Sequence, residues 1–424
     1  MLKFPTTTGA LAPAGQPWEE PRNACGMIPA LMPTYNRADL AFERGEGVWL
    51  YTGDGRRLLD FGTGLAVSSL GHNHQQLVAA IAEQAARVMH VSNLYRVPQA
   101  ERLAERLIAA SFADSVFFCN SGAEANEGLI KMMRRAQHAA GHPERHRVIC
   151  FEGAFHGRTL ATLAATGNPK YLEGFGPEVD GFDHVPFNNL NALRAAITPQ
   201  TAGVLVEPVQ GEGGVRPARL RFLRELRSTC DEFGLLLGLD EVQTGMGRSG
   251  KLFAHEWAGI APDVMSLAKG LAGGFPMGAI LAREAVAKAL TPGSHGTTFG
   301  GNPVACAAAN VVLDVVLAPG FLAAVDQRAR QLVDGLTALA GEFPDVFSNP
   351  RGAGLLVALG CVVPNTEVQQ AALAEGLLAL TAGENVLRLA PPLIVSESEI
   401  AEALSMLHRA ARRARPSQAR VAAK

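Results

Sequence analysis

The chain of 424 residues is 48% hydrophobic and 18% charged, a composition that allows a large buried interior and excludes disorder for most of its length. Its 38 basic and 40 acidic residues give a net charge of −2, so we expect neither nucleic acid nor a membrane surface as a partner. The six cysteines lie far apart without a CxxC pair, which predicts reduced thiols and no metal site. No targeting pattern and no apolar run of membrane-spanning length is visible, so we expect a cytoplasmic protein.

The N-terminal part of the chain predicts a lead-in, a hairpin and two helices. Residues 1–26 are rich in Pro, Gly and Thr and are predicted to form a flexible lead-in. Two short apolar strands around a Gly-Asp-Gly turn predict a β-hairpin over residues 47–60. Helices are predicted over residues 75–90 and 99–111, where apolar residues recur at helical spacing in the second segment.

From residue 115 onward, short apolar strands alternate with helices. The predicted strands cover residues 115–119, 147–151, 203–208 and 235–240. Helices are predicted over residues 125–135 and 220–233. This alternation indicates a mostly parallel sheet with helices on both faces, in which ligands bind beyond the carboxyl ends of the strands. A later helix and two strands indicate a separate C-terminal domain, at residues 305–317, 355–360 and 386–389.

Lys269 and Asp240 are the first candidates for chemistry. Lys269 is the only charged residue between Val264 and Gly278, which predicts a partly desolvated amine that is free to act as a nucleophile. The alternative is a lysine that extends from a loop into solvent. Asp240 follows an apolar run and is predicted to end a buried strand, either as a helix cap or as a ligand group. Together they suit pyridoxal 5'-phosphate, whose Schiff base the lysine would form and whose pyridine nitrogen the acid would keep protonated.

Two further segments follow predicted strands. Asn120–Glu124 joins a strand to a helix through small residues, which predicts a phosphate-binding helix N-terminus or an ordinary helix cap, and both can hold at once. In the segment Phe155–Thr159, an aromatic residue beside glycine can lie flat over a planar cofactor, and an arginine can bind a carboxylate. By itself, a Phe-His pair in a loop is usually packing.

Six motifs in one order carry a family resemblance, from about Pro29 to about Ala411. They are FFCNSGAEANE (117–127), FHGRT (155–159), VEPVQGEGGV (206–215), LDEVQTGMGRSG (239–250), LAKGLAGGFPMGA (267–279) and HGTTFGGNP (295–303). Together they resemble the class III, fold-type I pyridoxal-phosphate aminotransferases, in particular the acetylornithine aminotransferases.

The resemblance implies an α/β fold of fold type I. A large cofactor-binding domain with a mostly parallel sheet flanked by helices would cover residues 76–309. A smaller α+β domain would combine residues 27–75 with residues 310–424.

The resemblance also implies roles for four residues around the cofactor ring. Lys269 would bind the cofactor covalently and shuttle the proton of the transamination. Asp240 would pair with the pyridine nitrogen, Gln243 would reach the ring hydroxyl, and Phe155 would stack on the ring.

The phosphate contacts implied by the resemblance come from two subunits. Ser121, Gly122 and Ala123 would hold the phosphate. Thr298 matches a threonine that the family donates to the phosphate across a dimer interface. The resemblance therefore implies an obligatory homodimer with shared active sites.

Five residues are implied in substrate recognition. Arg158, with Thr297 nearby, would bind the remote α-carboxylate of an acylated ornithine, and Arg388 would bind the α-carboxylate of glutamate. Glu212 would pair with Arg388 and release it when glutamate binds, and the alternative is a permanent surface ion pair. Leu65 stands where ornithine δ-aminotransferases usually carry a tyrosine, which favours an acylated amine over a free ammonium unless Leu65 only packs.

The function implied is transfer of the δ-amino group of N-acetylornithine to 2-oxoglutarate, giving N-acetylglutamate 5-semialdehyde and glutamate, as in arginine biosynthesis. Ornithine δ-aminotransferase, succinylornithine aminotransferase and broader ω-amino acid aminotransferases remain alternatives, as does an aminomutase on the same fold. A binding protein that has lost catalysis is disfavoured because Lys269, Asp240 and Arg158 are all present.

Overall fold

The computed structural model describes residues 30–415. Its secondary structure follows the predicted alternation of strands and helices from residue 115 onward. The predicted lead-in at residues 1–26 lies outside that range. Residues from Phe42 onward form one compact unit, and residues 30–41 belong to a separate one.

The strands occur in four sheets. In chain order they are β1 (Phe42–Glu46), β2 (Trp49–Thr52), β3 (Arg57–Asp60), β4 (Ser115–Cys119), β5 (Arg147–Phe151), β6 (Phe182–Val185), β7 (Thr201–Val206), β8 (Val209–Gln210), β9 (Arg216–Pro217), β10 (Leu236–Asp240), β11 (Val264–Leu267), β12 (Gly278–Ala282), β13 (Phe347–Ala353), β14 (Leu356–Cys361), β15 (Leu377–Leu378), β16 (Leu380–Ala382) and β17 (Val386–Leu389).

The helices lie between and around these strands. They are α1 (Thr63–Ala66), α2 (Gln75–Arg87), α3 (Pro98–Ala109), α4 (Gly122–Ala139), α5 (Leu160–Thr166), α6 (Pro169–Leu172), α7 (Leu190–Ala196), α8 (Leu220–Phe233), α9 (Glu284–Ala287), α10 (Pro303–Val316), α11 (Phe321–Glu342), α12 (Asn365–Ala374) and α13 (Glu397–Ala414). Two 3-10 turns cover Ala254–Ala258 and Lys269–Ala272.

Most predicted elements are confirmed to within a few residues. The predicted hairpin is the antiparallel pair β2–β3, and β5, α8 and β17 have the predicted bounds. Helix α4 begins at Gly122, three residues before the prediction, because the Ser121 side chain accepts a hydrogen bond from the Glu124 N–H and starts the helix there. Strand β7 ends at Val206 rather than at Pro208, since proline has no N–H with which to extend a sheet.

The central sheet has seven strands in the order β4-β12-β11-β10-β7-β5-β6. The five strands β11-β10-β7-β5-β6 pair in parallel. Strand β12 is antiparallel to both of its neighbours, β11 and β4. The mostly parallel sheet is therefore confirmed. The sequence analysis did not predict β12, which follows β11 after residues 268–277, a connection shorter than the dozen or so residues that a parallel crossover needs.

The central sheet is covered on both faces. Successive residues of a strand point to opposite faces, so each strand contributes side chains to both. Val148 and Cys150 of β5 pack in one apolar cluster with Leu129 and Met133 of α4. Ile149 and Phe151, also of β5, pack in a second cluster that includes the buried side of α8. The near-continuous apolar strands are thus explained by burial on both sides.

The N- and C-terminal segments share a smaller sheet. Strand β15 pairs in parallel with β3, so that Leu377 lies opposite Leu59 and Leu378 opposite Asp60. A further antiparallel sheet of C-terminal residues has the order β13-β14-β17-β16. These pairings are compatible with a small domain built from both ends of the chain, and its boundaries stay a prediction.

The five described cysteines are free thiols, as predicted for them. Burial raises the pKa of Cys119, Cys230 and Cys306 to about 12, so these thiols stay protonated and unreactive near neutral pH.

Within residues 30–415, no single helix is long and apolar enough to cross a membrane. The pair α10 and α11 passes the same test of length and composition only when its two helices, bent by 74°, are taken together.

Candidate active site

The carboxyl ends of five strands meet at one cleft of about 410 Å³. These strands are β4, β5, β7, β10 and β11, and all of them run in the same direction in the central sheet. Nine of the thirteen predicted site residues line this cleft: Ser121, Gly122, Ala123, Phe155, Arg158, Glu212, Asp240, Gln243 and Lys269.

Asp240 lies at the end of β10, as predicted, and its side chain is 4% exposed. One carboxylate oxygen accepts hydrogen bonds from Asn126 Nδ2 at 2.7 Å and lies 2.8 Å from His156 Nδ1. The other oxygen accepts the backbone N–H of Val242 at 3.0 Å. A buried carboxylate is costly unless its oxygens accept hydrogen bonds, and these contacts satisfy both oxygens of Asp240.

The residues that hold Asp240 are themselves fixed by buried contacts. Ser266 donates its hydroxyl to Asn126 Oδ1 at 2.6 Å, and Asn126 also donates to the His156 backbone carbonyl at 2.8 Å. Strand pairing places Ser266 directly opposite Asp240. The sequence analysis assigned no role to Asn126 and treated the histidine of the Phe-His pair as packing.

Lys269 follows the end of β11, the strand next to β10, so the predicted meeting of lysine and acid at neighbouring strand ends is confirmed. Its backbone adopts a left-handed φ of 44°, a conformation that costs energy for a residue other than glycine. Burial lowers the pKa of the Lys269 amine, and Arg388 acts in the same direction, while Glu212 and Asp240 oppose them. The amine is therefore easier to deprotonate than an ordinary lysine, which suits a nucleophile and proton carrier.

The first turn of α4, which the sequence predicts as a phosphate-binding site or an ordinary cap, lies at the cleft. The N–H groups of Gly122 and Ala123 have no carbonyl four residues earlier in the helix to bind, and both residues line the cleft. Gly122 is required sterically, since a Cβ at this position would lie 2.8 Å from a methyl group of Val242. The helix N-terminus thus forms part of the cleft wall.

Phe155 and Arg158 lie on the loop after β5. The Arg158 guanidinium lies over the Tyr171 ring at 3.8 Å and 5.4 Å from the Phe155 ring centroid. Within residues 30–415, no acidic side chain forms an ion pair with Arg158. The exposed cation is held by aromatic faces and remains free to bind a ligand carboxylate.

Glu212 and Arg388 form an ion pair, with Arg388 Nη1 2.6 Å from Glu212 Oε1. The Arg388 side chain is only 2% exposed, so this is not the surface pair considered as the alternative. Burial alone would raise the pKa of the Glu212 carboxyl, but the nearby charges of Arg388 and Lys269 outweigh it and hold this pKa below its usual value. Arg388 itself does not line the cleft and reaches it through Glu212.

Glu207 is a cleft residue that the sequence analysis missed. It directly follows β7, is 6% exposed, and accepts the backbone N–H of Phe155 at 2.9 Å. Burial, followed by the charge of Asp240, raises the pKa of this carboxyl well above its usual value. An acid after an apolar strand is the signal that identified Asp240, and it applied equally here.

Three further predicted site residues, Leu65, Thr297 and Thr298, do not line this cleft. Leu65 is 46% exposed in the turn α1, although its neighbour Val67 lines the cleft. Thr297 and Thr298 line a different cavity of about 680 Å³. The Thr297 hydroxyl accepts a hydrogen bond at 3.3 Å from the side chain of Asn120, which lines the cleft. The expectation that Thr297 lies near Arg158 stays a prediction.

The cleft fits pyridoxal phosphate on observations independent of any relative. Gln243 is 7% exposed and its Oε1 atom has no hydrogen-bond partner within residues 30–415, as expected if a ligand hydroxyl supplies one. An anion cradle, a buried carboxylate and a lysine of lowered pKa surround the same space.

Comparisons with known proteins agree with this geometry. The family described as "Aminotransferase class-III" matches residues 32–411. The acetylornithine aminotransferase of Mesorhizobium japonicum is 59% identical over 383 residues, covering 90% of this chain and 96% of the relative. The acetylornithine aminotransferase of Brucella melitensis is likewise 59% identical, covering 90% of this chain and 95% of the relative.

Solved structures have the same fold. The N-acetylornithine aminotransferase from Stenotrophomonas maltophilia is 39% identical with a TM-score of 0.79, covering 92% of this chain and 98% of that one. An ornithine aminotransferase from Toxoplasma gondii is 28% identical with a TM-score of 0.87, covering 91% and 93% of the two chains.

The lowered pKa of Lys269 is measurable in protein freed of any cofactor. Acylation by a small neutral reagent requires the unprotonated amine, so Lys269 should be labelled at lower pH than the exposed Lys170. Glu212→Gln should shift the Lys269 labelling curve to still lower pH, because Glu212 raises this pKa, and Arg388→Met should shift it upward. Quantitative mass spectrometry across pH would give both curves. Coincident curves for Lys269 and Lys170 would contradict the assignment.

Proposed function

The chain belongs to the class-III aminotransferases, and from that premise we propose that it moves the δ-amino group of N-acetylornithine, or of a closely related N-acylated diamino acid, to 2-oxoglutarate. The products would be N-acetylglutamate 5-semialdehyde and glutamate. The observation that carries the proposal is the convergence of Lys269, Asp240 and the first turn of α4 on one cleft. The substrate is supported by the 59% identity to relatives named for it.

Pyridoxal phosphate, when bound, supplies the electron sink that stabilises the charge left on a substrate carbon after its proton is removed. Asp240 would hold a proton at the pyridine nitrogen, and its contacts with Asn126 and His156 keep the carboxylate in place for that task. Gln243 Oε1 would accept from the ring hydroxyl, and Phe155 would cover one face of the ring. Lys269 Nζ would take the proton from one carbon and deliver it to the other.

Substrate orientation would depend on two arginines. Arg158, which has no acidic partner in the described chain, would bind the remote α-carboxylate of the acylated diamino acid. Arg388 would bind the α-carboxylate of glutamate, but only after Glu212 has released it. With the pair closed, the buried charge of Arg388 is neutralised and the cleft admits an uncharged aminoalkyl chain.

We further propose that the active protein is a homodimer. Thr298 is exposed and lies outside the cleft of its own chain, so in this proposal it binds the phosphate in the cleft of the partner subunit. Thr297, the preceding residue, would lie beside it.

A substrate panel with 2-oxoglutarate as acceptor tests the proposed function. We expect the highest kcat/KM for N-acetylornithine or N-succinylornithine and a much lower value for ornithine, because the apolar Leu65 offers no partner to a free α-ammonium. Lys269→Ala, which removes the nucleophile, serves as the inactive control. Equal kcat/KM for ornithine and N-acetylornithine would refute the specificity, and turnover without an oxo acid would indicate an aminomutase.

Asp240→Asn should weaken catalysis more than folding. The amide cannot keep the ring nitrogen protonated, and loss of one charge-stabilising group of this kind costs about 10²–10³-fold in kcat. Asp263→Asn is a matched control, because Asp263 lies just before β11, at the opposite end of that strand from Lys269, where it binds Arg227 and the Leu237 N–H. It should affect thermal stability but not kcat. An unchanged kcat in Asp240→Asn would reduce Asp240 to a strand-end cap.

Glu212→Ala should separate the two half-reactions. Without its partner, Arg388 is free for glutamate, so this half should be preserved or accelerated while the acylornithine half slows. The shift in discrimination should be at most about 2–5 kcal/mol, the cost of removing one partner of a buried charge pair. Pre-steady-state changes in cofactor absorbance would report each half, with Glu232→Ala, in a remote pair with Arg194, as control. Equal effects on both half-reactions would contradict the proposed release of Arg388 by Glu212.

A further inference from the structure

The loop that carries Glu212 is bound to a distant hairpin. This loop connects β8 and β9, and the hairpin connects β16 to β17, the strand on which Arg388 lies. The backbone N–H of Gly383, in the hairpin, donates to the Glu212 carbonyl oxygen at 3.0 Å. The two partners of the buried ion pair therefore belong to two segments that are joined through their backbones.

Glu384, at the tip of the hairpin, joins the same segments through its side chain. Its Oε1 atom accepts from Arg216 Nη1 at 3.0 Å and its Oε2 atom accepts from Arg351 Nη2 at 2.6 Å. Arg351 also donates through Nε to the Gly214 carbonyl at 2.9 Å. One carboxylate thus connects β9, β13 and the Glu212 loop.

The contact leaves no spare space between the two backbones. A Cβ on Gly214 would lie 2.6 Å from the Gly383 carbonyl oxygen, and a Cβ on Gly383 would lie 3.1 Å from the Glu212 carbonyl oxygen. Gly214 also has a left-handed φ of 104° and Glu384 one of 57°. Such a close and strained approach persists only where surrounding contacts hold it, and the Glu384 ion pairs are those contacts.

We propose that Glu384 is a positioning residue that fixes the main chain of Glu212 relative to Arg388. The inference rests on the proposed alternation of Glu212 between closed and open states. With its backbone fixed at Gly383, Glu212 leaves Arg388 by rotation of its side chain alone and returns to the same partner. Loss of the Glu384 contacts lets the loop and hairpin separate, which weakens the closed pair that the acylornithine half-reaction requires.

The kinetic test compares Glu384→Gln with Glu375→Gln. Glu375 also pairs with two arginines, Arg409 and Arg413, both on α13, and none of the three lines the cleft. In the holoenzyme, Glu384→Gln should lower the rate of the acylornithine half relative to the glutamate half by about threefold to fivefold, the range open to a partly exposed ion pair. Glu375→Gln should leave that ratio unchanged. In a Glu212→Ala background, Glu384→Gln should change the ratio no further, because Glu384 acts through Glu212.

A second measurement does not depend on the substrate. Hydrogen exchange followed by mass spectrometry should show faster exchange in peptides covering residues 211–216 and 383–385 in Glu384→Gln but not in Glu375→Gln. Faster exchange with no acylornithine activity in any variant would refute the proposed function and leave the positioning role intact. Unchanged exchange, or equal slowing of both half-reactions, would overturn the role of Glu384.

Discussion

A carboxylate buried at the end of a central strand is the constraint on which this site depends. Burying a carboxylate is costly unless its oxygens are hydrogen-bonded, and Asn126, His156 and the Val242 N–H provide those contacts for Asp240. Asn126 belongs to α4, so the helix that holds the acid also contributes its first turn to the cleft. In the proposed function, the contacts that hold Asp240 would therefore also help to position the cofactor ring.

Several charged side chains act together on the amine of Lys269. Glu212, Asp240 and Glu207 oppose the burial that lowers the pKa of its amine, and Arg388 reinforces it. Any change in the Glu212–Arg388 pair therefore alters the basicity of Lys269 as well as the charge offered to a substrate. In the proposed function, substrate recognition and proton transfer would therefore depend on the same charged residues.

The sequence alone was sufficient for the elements whose signal is local. The hairpin β2–β3, the alternating strands and helices, and the strand-end positions of Asp240 and Lys269 all follow from apolar patterns and turn residues. Strand β12 was not predicted in this way, because its place in the sheet depends on pairing with the distant β4 as well as with the preceding β11.

The buried side of the site was harder to predict than its lining. Asn126 and His156 acquire their roles only when α4 and the loop after β5 meet β10, which no local pattern encodes. Glu207 was missed despite a local signal, since its motif was used only for the resemblance. The roles of individual residues, the domain boundaries, the homodimer and the cytoplasmic location stay predictions.

The turn that carries Leu65 has an implication for enzyme engineering. Thr63, Leu65 and Ala66 adopt φ values of 46°, 72° and 64°, and the Asp60 carboxylate holds the turn by accepting the N–H groups of Gly62 and Thr63. Left-handed backbone costs roughly 1–2 kcal/mol at each residue other than glycine. A library randomised at position 65 therefore selects for backbone tolerance as well as for fit to a new amine. Glycine, asparagine and aspartate would be enriched for conformational reasons, and β-branched residues would be depleted whatever their fit to the substrate.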